Sequence, residues 1–288
     1  MTENVDGPDF SSLPEGCISH VLSLASPRDA CRSSAASSIF RSAAESDSVW
    51  ERFLRDDYSD ILSRSVSPME YSSKKELYFR LCDSILIDGG KMSYWLDKSS
   101  GKKCFMLSAG ELGIVWGDTP QYWRWVDSSE SRFSKVAELL MVCWLEITGR
   151  FNSQLLSPKT TYIAYLVVKI DPEGYGLDNA PAELCVKLGD QLSVHPALLK
   201  LPSIPRRRPT VPMTGLLRWR NSYFEENWPA DGRVPLDRGD GWMELELGEF
   251  YTDEGNYGEV EFSLMEVKGG DWKRGLIVDG IEIRPKKA

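Results

Sequence analysis

Histidine is scarce in this chain, which has only His20 and His195 among 288 residues. Neither lies in a motif that supplies a serine or cysteine nucleophile, so the sequence does not predict a catalytic triad. Glu244 and Glu246 alternate along a strand at a spacing near that of glycosidase carboxylates, but the pattern is more typical of a solvated strand face. The composition therefore indicates a protein without a catalytic site of its own.

Cysteine pairs and glycosylation signals are also missing. The six cysteines stand at positions 17, 31, 82, 104, 143 and 185, with no C-x-x-C pair. This spacing fits neither a zinc site nor a disulfide framework, and no metal or other cofactor is predicted. No asparagine begins an N-x-Ser/Thr acceptor, and the first ten residues lack the apolar run of a secretory signal. We expect a reducing compartment, the cytoplasm or the nucleus.

Long hydrophobic runs and excess positive charge are absent as well. The longest apolar runs, 139–145 among them, are far shorter than a membrane span. The formal net charge of -9 would repel a phosphate backbone, so nucleic-acid binding is not predicted. The one dense basic cluster, Arg206, Arg207 and Arg208, lies among prolines, where it is compatible with a solvated loop or a nuclear import signal.

What the sequence does contain at its N-terminal end is a series of short amphipathic helices. Ile18, Val21 and Leu22 recur at spacings of three and four, which predicts one apolar helical face. Ser26 and Pro27 are typical of an N-cap followed by proline at the first helical position. A second helix is therefore expected to start at Pro27.

Two capping boxes predict further helices. Ser48 to Glu51 would open a turn that projects Trp50 and Phe53 from one side, and Ser73 to Glu76 would open a bridging helix. The helical segment before the bridge has about 45 residues, a size at which chains seldom fold without a metal, a disulfide or a partner. Since it has no metal or disulfide signature, we expect another protein chain to complete its apolar surface.

From about Ile85 the pattern changes to strands separated by turn residues, which predicts an antiparallel β-sandwich. The segment Tyr162–Lys169 is apolar on both faces and is expected to be central and covered on each side. A long surface loop is expected over 196–212. The predicted strands are Lys91–Leu96, Lys103–Leu107, Glu138–Thr148, Tyr162–Lys169, Ala182–Leu188, Trp242–Leu247, Glu259–Leu264 and Gly275–Ile283.

Residues 10–56 resemble the F-box, through the Leu13-Pro14 start, the apolar first helix, the Ser-Pro-Arg-Asp entry at residue 26 and the closing Val-Trp-x-x-Phe. The resemblance implies docking on the Skp-type adaptor of cullin-based SCF ubiquitin ligases through apolar side chains. The residues to which it assigns this contact are Leu13, Pro14, Ile18, Val21, Leu22, Pro27, Val49, Trp50 and Phe53.

Residues 85–288 resemble the phloem protein 2 lectin domain, also called the Nictaba-related domain. The resemblance rests on Asp-Gly-Gly-Lys at 88–91, on the motif from Trp116-Gly117 to Tyr122-Trp123, and on the tail from Trp272 to Pro285. It implies a jelly-roll-like lectin sandwich that binds N-acetylglucosamine oligomers or N-glycans. It also implies that Trp116 and Trp123 contact the sugar, together with Tyr122 beside them.

The sequence thus predicts an α+β protein with a leader over 1–9 that is disordered, an F-box over 10–56, a linker and bridging helix over 57–84, and a lectin-like domain over 85–288. The leading hypothesis is a non-catalytic substrate receptor of an SCF ubiquitin ligase that selects glycoprotein or protein targets. An intracellular lectin that acts independently of ubiquitination and a purely structural scaffold stay open as alternatives.

Overall fold

The computed structural model describes residues 13–54, 57–200, 231–255 and 257–287. The chain divides into two compact units, Met1–Phe105 and Met106–Ala288. The first unit is mainly helical and the second consists mainly of antiparallel strands, which confirms the predicted α+β class. The leader over 1–9, the basic cluster at 206–208 and most of the predicted 196–212 loop lie outside the described residues. Among those described, no helix combines the length and the hydropathy needed to cross a membrane.

Six short helices lie in the described part of the first unit: α1 Glu15–Ser23, α2 Pro27–Ser33, α3 Ser38–Glu45, α4 Asp47–Leu54, α5 Tyr58–Arg64 and α6 Lys74–Cys82. The caps predicted at Ser26 and Ser73 are confirmed, since each hydroxyl accepts a backbone N–H three residues on, at 3.1 Å. The capping box predicted at Ser48 is wrong, because α4 begins at Asp47 and Ser48 is already helical. Helix α5 occupies a stretch that the sequence predicted as a connection.

The core of the first unit is built around the Trp50 indole, which is fully buried. Its Nε1 donates to the Ala44 carbonyl oxygen at 2.6 Å, and its ring centroid lies 5.2 Å from that of Tyr78 on α6. A Cβ on Gly101, in the turn before β3, would lie 3.4 Å from the Pro27 Cγ and 3.5 Å from the Tyr78 hydroxyl, so this turn lies close to both residues. The expectation that a partner chain completes this core is therefore wrong, because α6 and the following hairpin supply the missing surface.

Fourteen strands are present in the described residues. They are β1 Ile85–Ile87, β2 Met92–Leu96, β3 Lys103–Ser108, β4 Gly113–Ile114, β5 Trp123–Asp127, β6 Lys135–Leu139, β7 Leu145–Asn152, β8 Thr160–Tyr175, β9 Ala182–Leu188, β10 Gln191–Ala197, β11 Leu236–Asp237, β12 Met243–Thr252, β13 Glu259–Glu266 and β14 Arg274–Pro285.

Two of the strand predictions need correction. The single strand predicted over 138–148 is two strands, β6 and β7, because residues 140–144 leave the sheet and Val142 bridges to Lys273 instead. The surface loop predicted from Pro196 starts later, since Pro196 and Ala197 still pair with β9 as the end of β10.

The second unit contains two antiparallel sheets. In one, β8 lies between β14 and β12, with β11 beyond β12 and the β5–β6 pair on β14; the other has the order β10-β9-β13-β7-β4. The central position predicted for β8 is confirmed. Its Tyr162 face is buried, whereas Tyr165 on the other face is half-buried beneath the Arg284 guanidinium, 4.0 Å from the ring centroid. The prediction that both faces are covered is therefore only partly correct.

A buried ionic cluster lies on that second face of the sheet. The Glu282 carboxylate, 1% exposed, accepts from Arg238 at 2.9 Å and from Arg284 at 3.0 Å, and Arg132 lies 3.6 Å away. Glu244 accepts from the same Arg238 and Arg284 at 3.0 and 2.6 Å. Since Glu244 is held by two arginines, it is an ion-pair partner rather than half of a free carboxylate pair.

Candidate functional site

Helix α1 presents an exposed apolar stripe in the first unit. Pro14, Cys17, Val21 and Leu24 follow one another at spacings of three and four residues, which places them along one side of the helix. All four are exposed, Val21 by 60% and Leu24 by 59%. Together with the exposed Leu13 they form the α1 stripe, a mainly aliphatic surface that stays exposed among the residues that the structure describes.

The nine residues assigned to adaptor contact divide into two groups. Leu13, Pro14 and Val21 are exposed and belong to the α1 stripe. The other six are buried in the core of the first unit and present little surface, and their contact with an adaptor remains a prediction: Ile18, Leu22, Pro27, Val49, Trp50 and Phe53.

Geometry explains why the predicted face of α1 divides in this way. Successive residues in an α-helix are about 100° apart, so Val21 and its neighbour Leu22 cannot share the centre of one face. Ile18 and Leu22, four apart, point into the core, and Val21 points outward. Cys17 and Leu24 were missed by the sequence analysis, although their spacing from Val21 was visible in the sequence.

The predicted sugar-binding motif forms a tight turn between β4 and β5 in the second unit. Gly117 N donates to the Ile114 carbonyl oxygen at 2.9 Å, and a Cβ on Gly117 would lie 3.2 Å from the Ile114 Cβ, so a larger residue here would require the turn to shift slightly. Trp116 adopts φ +59°, a left-handed conformation that costs an ordinary residue about 1–2 kcal/mol. Strain of this kind is retained where the rest of the site holds the residue in place.

The turn displays three aromatic rings, which we name the Trp116 site: Trp116, Tyr122 and Trp125. The Trp116 ring is 40% exposed and its centroid lies 5.1 Å from that of the half-buried Tyr122. Trp125 is 37% exposed, and its Nε1 donates to the Gly117 carbonyl oxygen at 2.8 Å, which fixes the plane of the indole. All three rings are therefore at least partly exposed, and each is held by a contact within the turn.

Trp123 is not part of this surface. Its side chain is 2% exposed at the start of β5, opposite Leu139 of β6, so neither ring face is open to a sugar. Trp125, two residues further along the strand, takes its place; the sequence analysis did not assign Trp125 to the site. Both tryptophans lie on one strand, and the motif alone carries no signal that distinguishes the buried ring from the exposed one.

Polar groups of the same turn are only partly free for a ligand. The Arg124 guanidinium makes a bidentate ion pair with the Glu138 carboxylate, from Nε to Oε2 at 3.0 Å and from Nη2 to Oε1 at 2.9 Å. Asp118 and Gln121 are exposed on the turn. They provide a carboxylate and an amide beside the open ring faces, which is the combination that a sugar ring with its hydroxyls requires.

The structure also brings together a serine, a histidine and an aspartate. The Ser193 Oγ lies 3.1 Å from the His195 Nε2, and the His195 Nδ1 lies 3.4 Å from the Asp231 carboxylate. This is the order of contacts in a serine hydrolase. A Cβ on Gly248 would lie 2.6 Å from the Ser193 Oγ, so the hydroxyl is packed against the backbone of β12 without room for an acyl group on that side. The arrangement fits a structural role.

Comparison with known families and proteins gives two matches that together span most of the chain. A sequence model described as F-box-like matches residues 10–56, and one described as Phloem protein 2 matches residues 102–285. The second match alone covers more than half of the chain.

Similar proteins occur in Arabidopsis thaliana. F-box protein PP2-B10 is 45% identical over 96% of this chain and 94% of its own length. F-box protein VBF is 44% identical over 95% of this chain and 99% of its own length. F-box protein PP2-B15 is 44% identical over 95% of this chain and 96% of its own length. The likeness therefore extends over both compact units.

Proposed function

Because the chain belongs to the family of F-box proteins with a phloem protein 2 domain, we propose that it is the substrate-recognition subunit of an SCF ubiquitin ligase, acting in the cytoplasm and nucleus. In this role it binds a Skp-type adaptor, and through it a cullin, at one end and captures a target at the other. It contributes no bond chemistry of its own.

The observation that carries the proposal is the α1 stripe. Five apolar side chains, two within α1 and three in the residues that flank it, stay exposed although Ile18 and Leu22 of the same helix are buried in the core. An aliphatic surface of this kind gains free energy, about 25 cal/mol per Å², only when another apolar surface covers it. A groove on a partner protein can receive the apolar face of a helix, and residues at spacings of three and four form such a face.

Adaptor binding by the Leu13→Ala/Pro14→Ala double variant tests the proposal. We expect the affinity for a purified Skp-type adaptor to fall by at least about tenfold, since two contacts are truncated at the start of the stripe. Leu192→Ala, which shortens an exposed leucine on β10 of the second unit, is the matched control. Unchanged adaptor affinity in the double variant would count against the proposal.

The capture end of the receptor is the Trp116 site, to which we assign carbohydrate. The open faces of Trp116, Tyr122 and Trp125 suit the apolar C–H face of a pyranose, and the exposed Asp118 and Gln121 suit its hydroxyls. N-acetylglucosamine oligomers and N-glycan cores are the proposed ligands. Each ring covers a small area, so a single sugar is expected to bind weakly and longer oligosaccharides better.

A lectin that acts independently of ubiquitination is the second candidate, and the strained, preformed Trp116 site favours it. A glycan array with the full chain distinguishes the two. The lectin alone is supported if the wild-type chain binds sugar but no Skp-type adaptor, and if Trp116→Ala loses the sugar binding. Sugar and adaptor binding in one molecule supports the receptor.

A further inference from the structure

A second group of apolar side chains is exposed in the second unit, outside the Trp116 site. Met141, Trp144, Tyr175 and Trp272 are 41–47% exposed, although three of them are large aromatic residues. They come from three separate segments of the chain: the 140–144 segment between β6 and β7, the end of β8, and the residues before β14. We name them the Trp272 surface.

Backbone contacts hold these segments together. Val142 and Lys273 exchange hydrogen bonds through their backbones at 3.0 and 2.8 Å, which brings the segments of Trp144 and Trp272 side by side. The Tyr175 hydroxyl donates to the Met141 sulfur at 3.6 Å. A Cβ on Gly176 would lie 2.1 Å from the Trp272 carbonyl oxygen, so Tyr175 is carried next to Trp272 by a glycine that allows this approach.

A buried lysine fixes the same segments from below. The Lys273 ammonium, 1% exposed, donates to the carbonyl oxygens of Cys143 and Asp271 at 3.0 and 2.8 Å and forms an ion pair with the buried Glu266. A buried charge is costly unless it is fully paired, and here its hydrogen bonds tie together the chain on both sides of the Trp272 surface. The surface is therefore preformed.

Backbone hydrogen bonds join the 140–144 segment of the Trp272 surface, and Glu146 after it, to the turn of the Trp116 site. The Tyr122 carbonyl oxygen accepts from Leu140 N at 2.9 Å, immediately before Met141, and Val115 N donates to the Glu146 carbonyl oxygen at 3.1 Å. Trp144 donates its indole N–H to the Glu146 carboxylate at 2.8 Å. Like Trp125, Trp144 thus has its one polar atom satisfied internally and offers only carbon and the ring face.

We propose that the Trp272 surface is a second carbohydrate-binding subsite that continues the Trp116 site, so that the domain binds an extended neutral oligosaccharide rather than one or two sugar rings. The inference rests on the carbohydrate binding proposed above. The Trp144 ring, whose N–H is already bonded to Glu146, cannot donate to a partner, but it can stack on a flat C–H face at little ordering cost. The exposed Asp271 and Arg274 flank the surface as partners for hydroxyls.

The test compares chitin disaccharide, tetrasaccharide and hexasaccharide by calorimetric titration of the full chain. Wild type should bind more tightly as the oligomer lengthens. Trp272→Ala and Trp144→Ala should bind the disaccharide like wild type and the hexasaccharide about tenfold more weakly, since about 60 Å² of ring contact at about 25 cal/mol per Å² corresponds to that factor. Trp116→Ala should weaken binding at every length.

Tyr251→Ala is the matched control, because Tyr251 is 41% exposed and pairs with Thr161 at the opposite end of β8 from Tyr175. It should bind all three oligomers like wild type, and each variant should retain the thermal transition of wild type. These exposed side chains contribute little to the core, so loss of folding is not expected.

The outcomes separate the two proposals. If Trp272→Ala and Trp144→Ala bind the hexasaccharide like wild type while Trp116→Ala binds weakly, the second subsite is wrong and sugar binding at the Trp116 site stands. If wild type binds none of the oligomers, both assignments are wrong.

Discussion

The α1 stripe and the aromatic surfaces of the second unit are exposed to a similar degree but differ in chemistry. The stripe consists mainly of aliphatic side chains, among them Val21 and Leu24, with no polar atom fixing their orientation. In the second unit, Trp125 and Trp144 have their indole N–H groups bonded to the same domain, at 2.8 Å in both cases.

This difference indicates two kinds of ligand. An aliphatic stripe is stabilised in proportion to the area covered, so it suits a protein groove that excludes water over its whole length. Rings fixed in plane are suited to a flat ligand that covers one face at a time. Exposed apolar area alone does not identify a partner, whereas the way the side chains are held does.

The largest expected effect comes from Trp50→Ala, which removes the core beneath the α1 stripe. Truncating a fully buried tryptophan that also bonds the Ala44 carbonyl oxygen should lower the free energy of unfolding of the first unit by about 3–5 kcal/mol. Urea unfolding measures the change. Trp272→Ala, an exposed tryptophan, is the control and should change stability by less than about 0.5 kcal/mol. Equal losses would show that Trp50 does not organise this core.

Glu282→Gln tests the support of the second unit. The substitution removes the buried carboxylate that Arg238 and Arg284 share and leaves them only the half-buried Glu244, and it should cost about 3 kcal/mol of unfolding free energy. Glu259→Gln is the matched change in an exposed pair, with Arg150 at 3.8 Å, and should cost under about 1 kcal/mol. The account of the cluster fails if the two variants unfold at the same urea concentration.

Val21→Asp separates adaptor binding from stability. A charge in the middle of the α1 stripe should lower the affinity for a Skp-type adaptor by at least about tenfold, yet change the free energy of unfolding by under about 0.5 kcal/mol because Val21 is exposed. Leu192→Asp places the same charge at an exposed position of the second unit and should bind normally. If Val21→Asp binds the adaptor as tightly as wild type, Val21 is not part of the interface.

The left-handed backbone at Trp116 leads to a smaller expected change, in the free energy of unfolding of two variants. Glycine tolerates φ +59°, so Trp116→Gly should be more stable than Trp116→Ala by about 1 kcal/mol, although both lose the ring. Thermal unfolding of the two variants measures this difference. A glycine variant that is no more stable than the alanine variant would contradict a left-handed backbone at this position.

The smallest expected effect is a change of the free energy of unfolding with pH. Burial raises the pKa of the Asp279 carboxyl above its usual range, although the Ser131 hydroxyl donates a hydrogen bond to it. The folded protein therefore holds this proton more tightly than the unfolded chain, and the stabilisation is complete below about pH 4 and lost as the pH rises through the folded pKa. Asp279→Asn should gain stability relative to wild type between about pH 4 and pH 7. A relative loss over that range would contradict the assigned direction.

The sequence was sufficient to predict a structural feature where a single residue or a single hydrophobic periodicity determines it. The caps at Ser26 and Ser73 and the central β8 follow from local hydrogen bonding and from the apolar pattern of the strand, and all are confirmed. Burial was harder to predict, because it depends on what packs against a residue from elsewhere in the chain. The helical face of Ile18 was expected to meet a partner, but it meets the core that α6 helps to complete.

The same limit applies to the candidate site. The turn and its Trp116 ring could be located from the motif, but Trp123 and Trp125 are two residues apart on one strand and only the surrounding packing separates them. The Trp272 surface could not have been assembled from sequence, since its members come from segments about 30 to 130 residues apart that are joined by Val142, Lys273 and Gly176.

Cys17 provides the most direct measurement of the central claim, because it is exposed within the α1 stripe. Alkylation of Cys17 in the full chain, followed by mass spectrometry with and without saturating Skp-type adaptor, reports whether the stripe is covered. The half-buried Cys185 of β9, in the second unit, is the internal reference. We predict that the adaptor slows labelling of Cys17 at least about tenfold and leaves that of Cys185 unchanged. Equal labelling of Cys17 in the free and the adaptor-bound chain would contradict the assignment of the α1 stripe as the adaptor surface.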